Sequence, residues 1–413
     1  MQRLSIYSKI CNKLSLNIQE PIRPYTHTRI RKADHKYSRA LYSALFYPAL
    51  HDKALPECYN RRYSPTYSLI KVSSMGTINH QVILASRPKG NAVEDNFRLI
   101  ETPLRDIEGG EVLIKNLYIS LDAGFRFWMN EGSSNSVLPE MPLGAPVMGL
   151  TLGRVIESKN EAFDIDQLIM GRFSWESYSI ASKAEEFAVP IPSDIDCPLS
   201  YHMGVLCDTG MSAYFGLKDI GKPKAGETVL VSGAGGAVGI VAGQIAKLHG
   251  ANVIGTAGSE EKCRRLENEF GYDKVINYRS SNNLTESIEK ACPNGVDVYF
   301  DNIAGPLLEA ALNNITDGAR VVLCGSVSTY ESVEPLPGPS NLFNLVARQA
   351  KMEGFMCHYH ADRYDQARRE LLGWVNEGKI KNAEYMLEGI ENTPKAFCDM
   401  FSGINFGKTL VKL

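Results

Sequence analysis

One stretch constrains this chain more than any other: Thr228-Val-Leu-Val-Ser-Gly-Ala-Gly-Gly-Ala-Val-Gly239, followed by Ile-Val-Ala-Gly-Gln-Ile-Ala-Lys-Leu. An apolar, β-branched run ends in glycines and passes into a segment with helical periodicity, which predicts a strand, a tight turn and a helix. In Gly233-x-x-Gly236-x-x-Gly239 the missing side chains let backbone approach a pyrophosphate, and the amides of Ala237, Val238 and Gly239 at the helix start suit its charge. A tight turn alone would also use glycines. The strand before them, the helix after them and Gly243 on that helix favour the dinucleotide.

The rest of the chain supplies the context such a unit needs. From Asn79, short β-type runs (Gln81 to Ser86, Phe97 to Glu101, Glu111 to Ser120, Met148 to Ser158, Phe173 to Ile180) are split by Pro and Gly, which predicts a β-rich, barrel-like domain over 75–200. Beyond Pro198 the pattern turns helical through Tyr214. Strands then follow at Thr228 to Ser232, Ala251 to Thr256, Lys274 to Asn277, Asp297 to Phe300, Ala319 to Cys324 and Met352 to Met356. Helices near Ala237 to His249, Glu260 to Glu269, Leu284 to Ala291 and Pro306 to Asn313 alternate with them, which predicts an α/β class with a doubly wound parallel sheet over 201–360. After Tyr364 one more helix is expected, and Thr409 to Leu413 is read as a strand returning to the β-rich domain, so that 361–413 closes it.

A chain of 413 residues exceeds what one core usually serves, so two domains are expected. The formal net charge of -3 gives no reason to expect nucleic acid, and no apolar run has the length of a membrane span. That balance hides an asymmetry: residues 1–74 hold 13 Lys+Arg, 4 Asp+Glu, eight of the 19 tyrosines and no glycine. This basic tract reads as a presequence, which would make the protein mitochondrial, or as an upstream extension with no folded role ahead of a working start at Met75 in a cytoplasmic protein. The second reading is favoured, because the composition persists beyond an ordinary presequence. Nine cysteines without a Cys-x-x-Cys pair read as reduced thiols.

Cofactor choice should be written after the second strand, where an acid would hold the ribose 2'-hydroxyl of NAD. Here the tip is Gly255-Thr-Ala-Gly-Ser-Glu-Glu-Lys262. Ser259 fits an N-cap, and Glu260 and Glu261 suit the first helical turn. Lys262 and Tyr278 are candidates for a 2'-phosphate, and NADPH is preferred, although a solvated helix lysine would read the same. Zinc needs clustered Cys and His. None is present, and His358-x-His360 on an expected loop is a weak signal, so no metal is expected.

With these residues in hand, the chain from about Asn79 onward resembles the medium-chain dehydrogenase/reductase superfamily. The closest similarity is to its zinc-independent prostaglandin reductases, alkenal double-bond reductases and curcumin reductases. The carrying motifs are Trp175-Glu-Ser-Tyr178, Thr209-Gly-Met-Ser-Ala-Tyr-Phe-Gly216, Ser232 to Gly239, Phe300-Asp-Asn-Ile-Ala-Gly305, Cys324-Gly-Ser-Val-Ser-Thr-Tyr330 and Gly403-Ile-Asn-Phe-Gly-Lys408. The resemblance implies a Rossmann domain plus a GroES-like catalytic domain, a homodimer, and hydride transfer from NADPH to the β-carbon of an unsaturated aldehyde or ketone. It also implies cofactor contacts from Thr209, Gly210, Asn302, Cys324, Gly325, Ser326, Ser328, Thr329, Phe355, Met356, Cys357 and Asn405. Tyr330 is the candidate hydrogen-bond donor to the substrate carbonyl, unless it only packs or positions the cofactor.

Two departures bear on the substrate. Asp122-Ala-Gly-Phe-Arg126 stands where the family pattern has Asp-Pro-Tyr-Met-Arg, so a pocket tyrosine becomes Gly124. Cys207-Asp-Thr-Gly210 replaces Gly-Met-Pro-Gly, placing Asp208 where an apolar residue is usual. A quinone or carbonyl reductase, and a non-catalytic NADPH-binding protein, therefore stand as alternatives.

Overall fold

The structure is a computed structural model, and it describes residues 76–135, 137–182, 188–332 and 336–413. The reading of residues 1–74 lies outside these. β1 (Ile78–Leu84) and β2 (Phe97–Pro103) form an antiparallel pair. β3 (Val112–Leu121), β4 (Met148–Ser158), β5 (Leu168–Ser174), β6 (Tyr178–Ala181) and β7 (Val189–Pro190) build most of a second sheet. Along β5 buried and half-buried residues alternate, as on a strand with one face on a core. A separate core of this lobe includes Trp175, whose ring meets Phe97 at 5.4 Å and Phe397 at 5.3 Å. Gly149 must be glycine, since a Cβ there would stand 2.7 Å from the indole nitrogen. Truncating such an indole costs about 3–5 kcal/mol. Glu176 accepts from Gln81 Nε2 at 2.6 Å and Ser179 Oγ at 2.8 Å, so the Trp-Glu-Ser-Tyr motif is a structural tie between β1 and β6.

The second lobe is a six-stranded parallel sheet. Its strands are β8 (Thr228–Val231), β9 (Asn252–Ala257), β10 (Lys274–Asn277), β11 (Val296–Asp301), β12 (Ile315–Leu323) and β13 (Lys351–Gly354), in the order β10-β9-β8-β11-β12-β13. All four residues of β8 are buried, as a strand covered by helices on both faces requires. The helices are α1 (Asp208–Phe215), α2 (Ala237–Leu248), α3 (Glu260–Glu269), α4 (Leu284–Ala291) and α5 (Gly305–Leu312), then the short α6 (Val327–Tyr330) and α7 (Phe343–Ala347). Strand order reverses between β8 and β11. In a doubly wound sheet ligands bind at that switch point, beyond the carboxyl ends of the strands.

The C-terminal segment corrects the sequence reading. Two helices follow Arg363 where one was expected: α8 (Tyr364–Asn376) and α9 (Thr393–Ser402), with β14 (Glu384–Glu388) between them. β15 (Lys408–Lys412) then pairs in parallel with β14 and antiparallel with β3, inside the β-rich sheet. The chain crosses between the lobes at a glycine pair: Gly407 N donates to Gly235 O at 2.9 Å, and Gly236 bridges Gly407. A side chain on Gly407, at φ +80°, would run into the backbone of Ala383.

Candidate active site

At the switch point the glycine turn does what its spacing requires. Gly233 has φ +58°, and Gly236 caps α2. A Cβ on Gly239 would sit 2.7 Å from Ala234 Cα, so the first turn of α2 can lie against the turn only without side chains there. Gly243 faces the Tyr272 ring, whose hydroxyl donates to Gly239 O at 2.7 Å. Ala237 and Val238, both half-buried, complete the rim at the start of α2.

Lys262 and Tyr278 reach this rim from the next two strand ends. Ser259 caps α3, its Oγ accepting from Lys262 N at 3.3 Å. The Lys262 stem passes 3.4 Å from the position of a Cβ on Gly235, and the Tyr278 hydroxyl lies 2.8 Å from that of a Cβ on Gly258. No carboxylate lies within ion-pair distance of Lys262 among the described residues. Burial, and then the neighbouring Arg279 cation, pull its pKa below that of a free lysine. Glu260 is drawn off by Asn277 Nδ2 at 2.7 Å. A glycine floor, the start of α2 and a cation with no ion pair among the described residues fit a phosphate-bearing cofactor. A cleft of about 630 Å³, lined in part by Ser259, Lys262, Arg265, Lys381, Tyr385 and Phe406, adjoins this end. Tyr330 is not on its wall.

Across the switch point, β11 ends in Asp301, which sequence reading passed over. Its Oδ1 accepts from Ser232 Oγ, Tyr299 OH, Ile303 N and Ala304 N, each at 2.9 Å. One fully buried oxygen thus fixes the glycine turn and the start of α5 together. Asn302 adds to this: its Nδ2 donates to Ser232 O at 2.7 Å, so one of the two amide hydrogens is used inside the protein. Cys324 N and Gly325 N both donate to Asp301 O, at 2.9 and 3.1 Å. The Ser-Thr-Tyr segment is one helical turn, α6, rather than the expected loop. Ser328 Oγ donates to Ile303 O at 2.6 Å, while Ser326 and Thr329 hydroxyls meet at 2.8 Å. α6 packs on the Ala123–Met129 turn of the other lobe.

Tyr330 is half-buried, and its oxygen accepts from Ser326 N at 3.2 Å. An oxygen that accepts from an amide keeps its own hydrogen to donate. Burial raises its pKa, so the phenol stays protonated through the neutral range.

Asp208 opens α1 beside a second carboxylate. Asp122 is paired with the buried Lys408 and accepts from Ser120 Oγ at 2.6 Å. Asp208 is left with Tyr364 OH at 3.5 Å, and burial followed by repulsion from Asp122 raises its pKa. Thr209 Oγ1 donates to Gly204 O at 2.9 Å, and Gly210 packs against the Val205 backbone. Near them Cys357 is buried, Phe355 packs its ring on Gly216, and Met356 is exposed. Asn405 Nδ2 donates to Thr409 Oγ1 at 3.2 Å, beside the Gly407 bridge. Gly124 meets only Trp128, at 3.9 Å from a Cβ position.

The expected loop around His358 and His360 is a helical turn, Cys357–Arg363, in which the His360 ring stacks on Phe215 at 4.8 Å. Among the described residues no group of three His, Cys, Asp or Glu side chains could hold a metal.

Comparison with known proteins agrees with this layout. Residues 80–189 match the family model described as N-terminal domain of oxidoreductase, and 237–373 match zinc-binding dehydrogenase. The NADPH-dependent curcumin reductase of Escherichia coli is 36% identical, over 81% of this chain and 97% of its own. Mouse prostaglandin reductase 1 is 38% identical, over 78% of this chain and 96% of its own. The crystal structure of CurA from Vibrio vulnificus in complex with NADPH superimposes with a TM-score of 0.75 at 34% identity, covering 81% and 98% of the two chains. With 36–38% identity over nearly the whole length of these relatives, the chain belongs to the medium-chain dehydrogenase/reductase superfamily, in the branch of the prostaglandin, curcumin and 2-alkenal reductases.

Proposed function

We propose that this protein uses NADPH to reduce the carbon–carbon double bond of α,β-unsaturated aldehydes or ketones. The single observation that carries the reading is Tyr330: its oxygen accepts from Ser326 N, which leaves the phenol hydrogen to donate, on a segment tied to the glycine turn through Asp301. Gly233, Gly236 and Gly239 would hold the pyrophosphate, with Ser259, Lys262 and Tyr278 at the 2'-phosphate. Asn302, the Cys324–Tyr330 segment, Thr209, Gly210, Phe355–Cys357 and Asn405 would line the remainder. When bound, NADPH supplies the hydride. What the chain itself does is orient the alkene and donate a hydrogen bond from Tyr330 to the carbonyl oxygen as charge develops there.

Monitoring NADPH absorbance with an alkenal, an enone and a quinone tests this. Turnover of the first two is expected. Turnover of quinone alone would favour the alternative that the open space at Gly124 supports, a quinone reductase, and binding without any turnover would favour a non-catalytic NADPH-binding protein.

We further read the protein as a cytoplasmic homodimer. The edge strand β13 presents unpaired backbone beside Phe343 and Val346, which are 74% and 69% exposed, and an antiparallel second copy would cover both. A monomeric mass in solution would end that reading.

A further inference from the structure

One cation at the phosphate end is unexplained by the glycine turn or by Lys262. We propose that Arg279 is a specificity-determining residue that grips the cofactor 2'-phosphate together with Lys262 and, through Ser402, ties that grip to the β-rich lobe. The inference rests on the NADPH reading above.

Arg279 lies two residues beyond β10, beside Tyr278. One guanidinium nitrogen donates to Ser402 O at 3.1 Å, at the end of α9 in the other lobe. Two glycines make room for the group: a Cβ on Gly403 would stand 3.2 Å from Nη2, and one on Gly258 3.4 Å from Nε. Gly258 is the same residue that the Tyr278 hydroxyl approaches. Arginine, phenol and glycine backbone therefore converge on one spot, with Lys262 close enough for the two cations to repel.

Glu261, next in sequence to Lys262, is the last and weakest of the influences on it. No carboxylate is within ion-pair distance of either among the described residues. Asn277 arranges this from both ends of its amide: Nδ2 holds Glu260 at 2.7 Å, and Oδ1 accepts from Arg279 N at 3.1 Å. One residue thus holds Glu260 and orients the arginine segment. Like charges side by side cost free energy, and a doubly charged phosphate between them reverses the sign. A guanidinium has five N–H donors in a planar fork, so it can keep Ser402 and still meet phosphate oxygens. A ribose hydroxyl would bring no charge and gain little from the arrangement.

The test uses the full chain, an alkenal substrate, and initial rates with NADPH and NADH. Arg279→Ala should lower kcat/KM for NADPH about tenfold more than for NADH, the worth of one charge-assisted hydrogen bond. Arg279→Lys should recover only part of the preference, because it restores charge without the fork. Inhibition by 2',5'-ADP should weaken by a similar factor relative to 5'-AMP, which reads the phosphate without turnover. Equal losses for both cofactors, or an unchanged 2',5'-ADP preference, would overturn the assignment. A wild type that prefers NADPH, alongside an Arg279→Ala protein that prefers it as strongly, overturns Arg279 alone. A wild type indifferent to the 2'-phosphate overturns the cofactor reading with it.

Discussion

The two ends of the switch-point crevice solve opposite problems. At the phosphate end the chain gathers charge: the half-buried Lys262 and the exposed Arg279 stand over glycines, and Glu260 is held by Asn277. At the chemical end it suppresses charge. Burial pushes Tyr330, Asp208, Cys207, Cys324 and Cys357 toward their neutral forms, and the buried Lys408 is paired with Asp122. On the proposed function the first end would bind an anion by Coulomb attraction. The second would stabilise charge that exists only in the transition state, which neutral donors held in place do without attracting ions beforehand.

The comparison breaks most severely at Tyr330. Tyr330→Phe keeps the ring and removes the hydroxyl, so kcat should fall about 100-fold while NADPH affinity, set at the other end, changes little. An unaltered kcat would take Tyr330 out of the mechanism. A large loss of NADPH binding would mean that the two ends are not separable.

Asp208 sharpens the contrast through pH. Its folded pKa is raised above the unfolded value near 3.9, so the folded state holds the proton more tightly, and stability falls as pH rises through the folded pKa. Asp208→Asn is neutral at every pH. It should therefore melt higher than the wild type by roughly 2 °C on the alkaline side, with the gap closing in acid. A gap that widens in acid would show that Asp208 is ionised and paired.

Much of this was legible in the sequence because the physics is local. β8 to β13 and α2 to α5 fall within a few residues of where hydrophobic period and glycine punctuation put them, and Ser259 caps its helix as its position suggests. The C-terminal segment resisted: β14 is a short parallel edge strand, half-buried over its first four residues, without the alternation that marks a strand. α9 is a ten-residue helix opened by Thr-Pro, too short for a strong periodic signal. Arg279 was illegible for a different reason. An arginine in a loop after a strand looks like any solvated cation, and only the tertiary return of Ser402 and Gly403 gives it a place. Asn302 had a clear motif but an unforeseen tie, because its amide turns inward to Ser232.

The smallest effect expected is also the most direct probe of neutrality at the chemical end. An unsaturated aldehyde accepts a thiolate at the same β-carbon that accepts hydride, so cysteines beside such a substrate are a liability. Three flank this site: Cys207 before α1, Cys324 after β12 and Cys357 after β13, with Cys324 and Cys357 sharing the Ser212 hydroxyl. Burial is the first cause raising each thiol, and Cys357 is pushed up to about 12. Thiolate, not thiol, is the nucleophile. Incubating the protein with an alkenal near neutral pH, without NADPH, should leave these three cysteines unmodified by peptide mass and the later activity intact. Adduct on Cys324 or Cys357 in the folded protein would show that this end is not held neutral, and that the opposition between the two ends is weaker than their geometry implies.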